Sequence, residues 1–412
     1  MIEWLALRGG GLVSASVNDS VNRSDYVSEV AIFRHDCRQY LRTLDCADEW
    51  RTAAYRTAEA GMDHDAGVMA RLHADGWNRY GWPEEAGGLG GDEIHRAVLY
   101  EELANAMLPI PAQAWTLEVM GPAILRYAPH LASEYLPRYL NGSEWWGQGF
   151  SEPESGSDLA SLRTRATDDG SGGFVVNGQK IWTSQGGTAK RLCVLVRTGS
   201  LESRHRGLTM MLIDTDAPGV TVRPIALASG RRELAEVFFD DVRVPAQRLV
   251  GEVGAGWAVT MFLMQYERGM YGYAALNKVL MELGRLREYM VVSGTGLAQR
   301  EQFARVYVDV IAAQARAAIT VRKLAAGESV GPESSIDKLL CSEAERAVND
   351  LILEVARDHM MSGALGGTAV LDTARAEWWY SRAATIMGGT AEVQRGIIAD
   401  HILGLPKERR AS

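Results

Sequence analysis

The chain has 412 residues, 47% hydrophobic and 23% charged, the composition of a globular protein long enough for two or three domains with substantial cores. A formal charge of -9 without a clustered basic run argues against a nucleic-acid binder, and four cysteines without CxxC spacing, beside eight histidines that form no HExxH, argue against a disulfide framework or a metal site. No run approaches the ~18 apolar residues of a membrane span. The stretch Met1-Ile-Glu-Trp-Leu-Ala-Leu-Arg8 is interrupted by charge and lacks an A-x-A site, so the expectation is a cytoplasmic protein without a signal peptide.

Residues 1–24 are rich in Gly, Ser and Asn without a sustained period and read as a mobile arm. From Tyr26, apolar residues such as Val30, Phe33, Leu41 and Leu44 recur every three to four positions among charged ones, which predicts amphipathic helices and a helical domain over 25–143. Within it, Gly76–Gly91 is too dense in Gly and Pro for a helix and lacks the G-x-G-x-x-G spacing and preceding strand of a dinucleotide site, so it reads as a tight loop. The character changes near Trp145. Short β-branched runs follow at Phe174-Val-Val, Leu192–Val196, Leu208–Ile213, Val220-Thr-Val and Glu236–Phe239, with Asn177-Gly178 as a hairpin signal, and they predict an antiparallel barrel or sandwich over 144–253. After Gly251-Glu-Val-Gly-Ala-Gly256, helical periodicity returns over 257–293, 298–326, 334–361 and 368–403, which predicts a four-helix bundle spanning 254–406. The expected class is an α+β multidomain protein ordered helical, β, helical.

Four segments carry more specific information. Trp146-Gly-Gln-Gly-Phe-Ser-Glu-Pro-Glu-Ser-Gly-Ser-Asp-Leu-Ala160 resembles the T-E-P-x-x-G-S-D signature of the acyl-CoA dehydrogenase family, and Asn177-Gly-Gln-Lys-Ile-Trp-Thr-Ser184 is similar to its N-G-x-K-x-W-I-T. Val242-Arg-Val-Pro245 followed by Gly251 matches its V-R-V-P turn, and Gly389-Thr-Ala-Glu-Val-Gln-Arg395 with Ile398 and Leu403-Gly-Leu405 its closing helix. In order and spacing the resemblance covers about residues 25–406. It implies noncovalent FAD and an acyl-CoA thioester substrate. Carried over position by position, Phe150 and Ser151 meet the isoalloxazine edge, Trp182 covers a ring face, Ser184 donates near flavin N5, Thr183 joins the cofactor-binding set, and Thr390 and Glu392 lie near the adenosine part. Ser157 is placed between cofactor and thioester. Such contacts are chemically apt, because a planar flavin needs an aromatic wall and donors that stabilise its reduced form.

The family reaction removes a proton from Cα of the thioester while Cβ gives a hydride to flavin N5. This needs a carboxylate within ~3 Å of the proton, in a water-poor pocket with donors to the carbonyl. Much of the family places that carboxylate immediately before Gly-Thr, where this chain has Gly388, whose backbone N–H remains available to the thioester oxygen. Members similar to isovaleryl-CoA dehydrogenase take the base from the helix that opens the C-terminal domain, and Glu267 followed by Arg268 stands at that position. The flanks Met261–Met264, Tyr266, Met270, Tyr271 and Tyr273 are apolar on every face, so the helix is buried and its glutamate needs a task. Glu267 is therefore read as the base, Arg268 as orienting it, and Tyr266, Arg268 and Gly389 as lining the thioester.

Two segments depart from the family pattern. Val291-Val-Ser-Gly-Thr-Gly-Leu297 stands where many members carry R-x-x-F-G, whose arginine reaches the FAD pyrophosphate of a neighbouring subunit, and His359-Met-Met-Ser-Gly363 replaces a Gln-containing glycine turn. These features look more like the divergent actinobacterial branches of the family. The resemblance further implies an electron-transferring flavoprotein as acceptor and a homotetramer or homodimer. It leaves open a flavin oxidase or monooxygenase, and a noncatalytic partner subunit. Retained Glu267 and Ser157 favour the dehydrogenase, and intact Trp182, Ser184 and Glu267 weigh against the partner subunit. The acyl group, whether short, branched, aromatic or sterol-derived, on CoA or on a carrier protein, is not encoded in any readable motif.

Overall fold

The computed structural model describes residues 23–52, 58–294, 296–357 and 369–406. The arm expected over 1–24, apart from its last two residues, and the segment His359–Gly363 lie outside them. Among the described residues, six helices form the N-terminal region: α1 (Arg23–Thr43), α2 (Ala47–Thr52), α3 (Ala58–Ala74), α4 (Glu93–Asn105), α5 (Ala112–Tyr127) and α6 (Pro129–Leu140). Asp92 starts α4 by accepting the Ile94 N–H at 2.9 Å, a side-chain cap on an otherwise orphaned donor. The loop 76–91 is two single-turn 3-10 segments joined by a Trp82–Gly90 bridge.

Helices α4 and α5 are locked by a buried ion pair. Arg96 Nε donates to Glu118 at 3.0 Å, and the Tyr100 hydroxyl donates to the same carboxylate at 2.6 Å. Arg96 also lies over the Trp82 ring, 4.3 Å from its centroid. A buried charge is tolerable only with such partners.

The central sheet has eight strands: β1 (Trp146–Gly149), β2 (Arg165–Asp168), β3 (Gly173–Ser184), β4 (Arg191–Arg197), β5 (Leu208–Asp214), β6 (Val220–Ile225), β7 (Leu234–Pro245) and β8 (Leu249–Val250). Their order is β6-β7-β3-β2-β4-β5-β8, with β1 pairing β4. The sheet is mixed rather than purely antiparallel, because β1 and β2 both run parallel to β4. Asn177-Gly178 is not a hairpin turn but lies inside β3, at a register shift against β7. There Gly178 has φ 145 and Asp241, opposite, has φ 49; Asn177 Nδ2 donates to Asp241 Oδ1 at 3.0 Å, and Asp241 N–H returns a bond to Asn177 Oδ1 at 2.9 Å. The turn residues serve a bulge because β7 is long enough to pair on both sides of it.

The C-terminal region holds α7 (Gly256–Tyr266), a π-helical turn (Glu267–Tyr271), α8 (Gly272–Ser293), α9 (Leu297–Ala325), α10 (Ser334–Val355), α11 (Ala369–Ser381) and α12 (Ala391–His401). The helix expected over 368–403 is broken between α11 and α12 by Gly388 and Gly389, whose φ angles of 65 and 94 no right-handed helix accommodates. One core joins the N-terminal helices to the sheet, and a second joins them to the C-terminal helices. Among the described residues, no helix is long and apolar enough to cross a membrane.

Candidate active site

Glu267 opens the π-helical turn, a one-residue widening that helices favour at functional sites. The turn presses so closely on α9 that a Cβ on Gly269 would stand 2.7 Å from Leu324 Cδ1. This contact fixes the turn and with it the glutamate. The carboxylate then projects to a telling place: a Cβ built on Gly388 would meet Glu267 Oε1 at 2.3 Å and Lys338 Cε at 3.3 Å. Glu267 thus occupies the space into which a side chain at 388 would project. The two positions compared in the sequence converge on one pocket, and a side chain at only one of them fits.

The turn that carries Gly388 is held from both sides. On α10, Lys338 Nζ donates to Ala384 O at 2.7 Å, and Ser342 Oγ donates to the same oxygen at 2.8 Å. On α12, Gln394 Nε2 donates to the carbonyls of Gly388 and Gly389, both at 3.3 Å. The Gly388 N–H makes no hydrogen bond among the described residues and stays available as a donor. Burial pushes the Glu267 carboxyl above the usual carboxylate range, while the charges of Lys338 and Arg268 and the facing Gln148 amide of β1 pull it back. Arg268 reaches Ser334 Oγ at 3.5 Å, and its Nε is buried with no partner among the described residues.

Two residues beyond Gln148, strand β1 leads into Phe150 and Ser151. Ser151 O accepts the Ile181 N–H at 2.9 Å, which brings this edge beside Trp182, Thr183 and Ser184 at the end of β3. Trp182 has φ 62 and is 54% exposed, an unusual position for an indole. The Ser151 and Ser184 hydroxyls have no hydrogen-bond partner among the described residues. An exposed indole near two unengaged hydroxyls fits a flat heteroaromatic ring. Thr183 points the other way: it is fully buried, with Cγ2 against the Gly147 position, so only its backbone faces this wall.

Other expected residues lie apart. The Tyr266 hydroxyl donates to Glu93 at 3.1 Å, which ties α7 to the N-terminal helices. Thr390 caps α12 by accepting the Val393 N–H at 3.2 Å, Glu392 is exposed on the same helix, and Ser157 is exposed on the loop before β2. Gly389 stays at the pocket through its turn. Sequence reasoning missed Lys338, Gln148 and Gln394, which come from three elements with no shared motif. It also missed a structural pair inside two recognised motifs. Lys180 Nζ bonds Glu152 at 2.8 Å and Phe150 O at 3.0 Å, and Glu152 in turn accepts the N–H groups of Arg163 and Thr164. Burial pulls the Lys180 ammonium down to about 8 against the pull of Glu152, and the pair holds the Phe150–Ser151 edge in place.

Comparison with known proteins agrees with this architecture. The acyl-CoA dehydrogenase family models match in three parts, the N-terminal domain over residues 31–143, the middle domain over 147–242 and the C-terminal domain over 254–403. The chain therefore belongs to the acyl-CoA dehydrogenase family, a family of flavoprotein oxidoreductases. It is 35% identical over 410 residues to the acyl-CoA dehydrogenase IpdE1 of Mycolicibacterium smegmatis, covering 92% of this chain and 99% of that one. Among solved structures it is similar to the Tcur3481-Tcur3483 steroid ACAD, with a TM-score of 0.78, 27% identity and coverage of 92% and 98% of the two chains. The ChsE4-ChsE5 complex from Mycobacterium tuberculosis aligns with a TM-score of 0.73 and 27% identity over 95% of this chain and 100% of that one.

Proposed function

We propose that this acyl-CoA dehydrogenase uses Glu267 as the base that removes the α-proton of its thioester, with the Gly388 N–H donating to the thioester oxygen. The observation that carries the proposal is the 2.3 Å between Glu267 Oε1 and the Cβ position of Gly388, because it puts the carboxylate beside the Gly388 N–H, a backbone donor that makes no hydrogen bond among the described residues. Glu267 takes the proton in a pocket whose burial already raises its basicity, so neutralising it on protonation costs little. Gly388 supports the charge that develops on the thioester oxygen. Arg268, whose charge acts on the carboxylate and whose Nε is buried with no partner among the described residues, is the residue proposed to orient the base.

FAD is the proposed cofactor. Phe150 and Ser151 would hold its pyrimidine edge, Trp182 would cover one ring face, and Ser184 would donate near N5. When bound it supplies the acceptor for the hydride that leaves Cβ. The same proposal includes Thr390, Glu392 and Ser157 toward the cofactor's remainder and the thioester, an electron-transferring flavoprotein as acceptor, and a cytoplasmic location. An oligomer is supported by exposed Val291, Val292 and Leu297 where α8 meets α9. The homotetramer or homodimer expected from the sequence has a competitor in a two-component assembly, which the paired names of two structural neighbours favour.

The test is an anaerobic titration of purified protein with butyryl-, octanoyl-, isovaleryl- and cyclohexanecarboxyl-CoA, followed by flavin absorbance. Glu267→Gln is expected to keep bound flavin and to lose bleaching by at least about a thousandfold. Bleaching at the wild-type rate would refute the assignment.

A further inference from the structure

We propose that Lys338 of α10 is a positioning residue for proton abstraction: it fixes the Gly388 turn through Ala384 O and holds a positive charge beside, but not bonded to, the Glu267 carboxylate. The inference rests on the reading of Glu267 as the base.

Three observations carry it. Lys338 Cε and Glu267 Oε1 both lie within 3.3 Å of one point, the Cβ position of Gly388, so the ammonium stem and the carboxylate share a pocket wall. The ammonium itself is engaged elsewhere, with Ala384 O at 2.7 Å and Ser342 Oγ at 3.1 Å, and it forms no ion pair with Glu267 within 4.0 Å. Ala384 is four residues before Gly388, within the 3-10 turn leading into the glycines, so the same side chain that faces the base also fixes the donor.

The stand-off geometry has a chemical purpose. A direct Lys–Glu bond would stabilise the carboxylate and weaken it as a base, whereas removing the Lys338 charge would leave less to oppose the upward push of burial. A tethered ammonium at intermediate range offsets part of that burial without the full stabilisation of a direct ion pair. The groups facing Glu267 are Arg268 on its own turn, Lys338 on α10, the Gln148 amide on β1, and the Tyr271 hydroxyl, which burial and neighbouring acids keep protonated. Of the two cations, Arg268 follows the base along the chain, while Lys338 comes from a separate helix that also grips the turn.

The experiment compares Lys338→Met, Lys338→Gln and Lys338→Arg in the flavin-loaded protein. The flavin bleaching rate with octanoyl-CoA and isovaleryl-CoA is measured from about pH 5.5 to about 9. In parallel, the protonated-carboxyl infrared band is titrated without substrate, with Glu267→Gln as the subtraction reference. Removing the cation raises the Glu267 pKa, so Lys338→Met and Lys338→Gln should move the acid limb and the infrared midpoint upward by about one unit, a roughly tenfold rate loss on that limb. Lys338→Arg should restore both. Lys338→Gln, which keeps a donor for Ala384 O, should recover more rate at high pH than Lys338→Met. An unchanged infrared midpoint in Lys338→Gln overturns the proposal, as does a loss that is equal at every pH. If Glu267→Gln still bleaches, the base assignment itself has failed, whatever the Lys338 variants do.

Discussion

Gly388→Ala tests the geometry of the pocket with a single methyl group. The added Cβ would stand 2.3 Å from Glu267 Oε1, where ordinary contact begins at 3.4 Å, so the carboxylate or the turn must retreat by about 1 Å. Displacement of that size in a reacting group costs about a hundredfold in rate. The backbone adds its own cost, since φ is 65 at this position and an L-residue there is strained by about 1–2 kcal/mol. The expected result is therefore roughly a hundredfold slower flavin bleaching by acyl-CoA, with an unfolding midpoint lower by a few degrees. In the Glu267→Gln background, Gly388→Ala should cost almost no further rate, because the group it displaces is already inert. Gly396→Ala serves as control: this glycine lies on α12 with nothing within 4 Å of an added Cβ, and the change should leave rate unaltered while stabilising the helix slightly. A Gly388→Ala protein that bleaches within threefold of wild type would show that Glu267 does not occupy this space during catalysis.

Other consequences concern stability. Burial raises the Glu345 carboxyl to about 7, with the Glu282 and Glu377 charges adding to it and Lys278 opposing, so the folded chain holds a proton that the unfolded chain releases near 4.5. Stability from this group is complete below that lower value and is lost as pH rises through about 7, by up to roughly 3 kcal/mol. Denaturant unfolding of Glu345→Gln should accordingly decline less between about pH 5 and 8 than wild type, and parallel curves would refute the argument. Glu118→Ala strands Arg96, which is 4% exposed, and should cost about 3–5 kcal/mol. A loss below about 1 kcal/mol would mean that the bonds of Arg96 to Gly81 O and Glu93 hold it unaided.

The order helical, β, helical was legible in the chain because it depends on local periodicity, and periods of 3.6 and 2 are properties of neighbouring residues. The family was legible too, since its motifs cluster in short runs such as Ser151–Asp158 and Gln179–Ser184. The proposed relocation of the base also starts from the chain itself, which lacks a side chain at 388 and carries a carboxylate at 267. Tertiary contacts decided the rest. Asn177-Gly178 has the chemistry of a turn, yet pairing with a long β7 made it a bulge. Tyr266 has the flanks of a pocket residue, yet Glu93 on a distant helix claimed its hydroxyl. The pocket around Glu267 draws Gln148 from a strand, Lys338 from α10 and Gln394 from α12, residues separated by up to 246 positions that no window of sequence can relate. What the sequence determined by itself was which elements form and which chemistry they carry. Only packing, acting through contacts of about 3 Å between remote segments, determined which groups gather around Glu267.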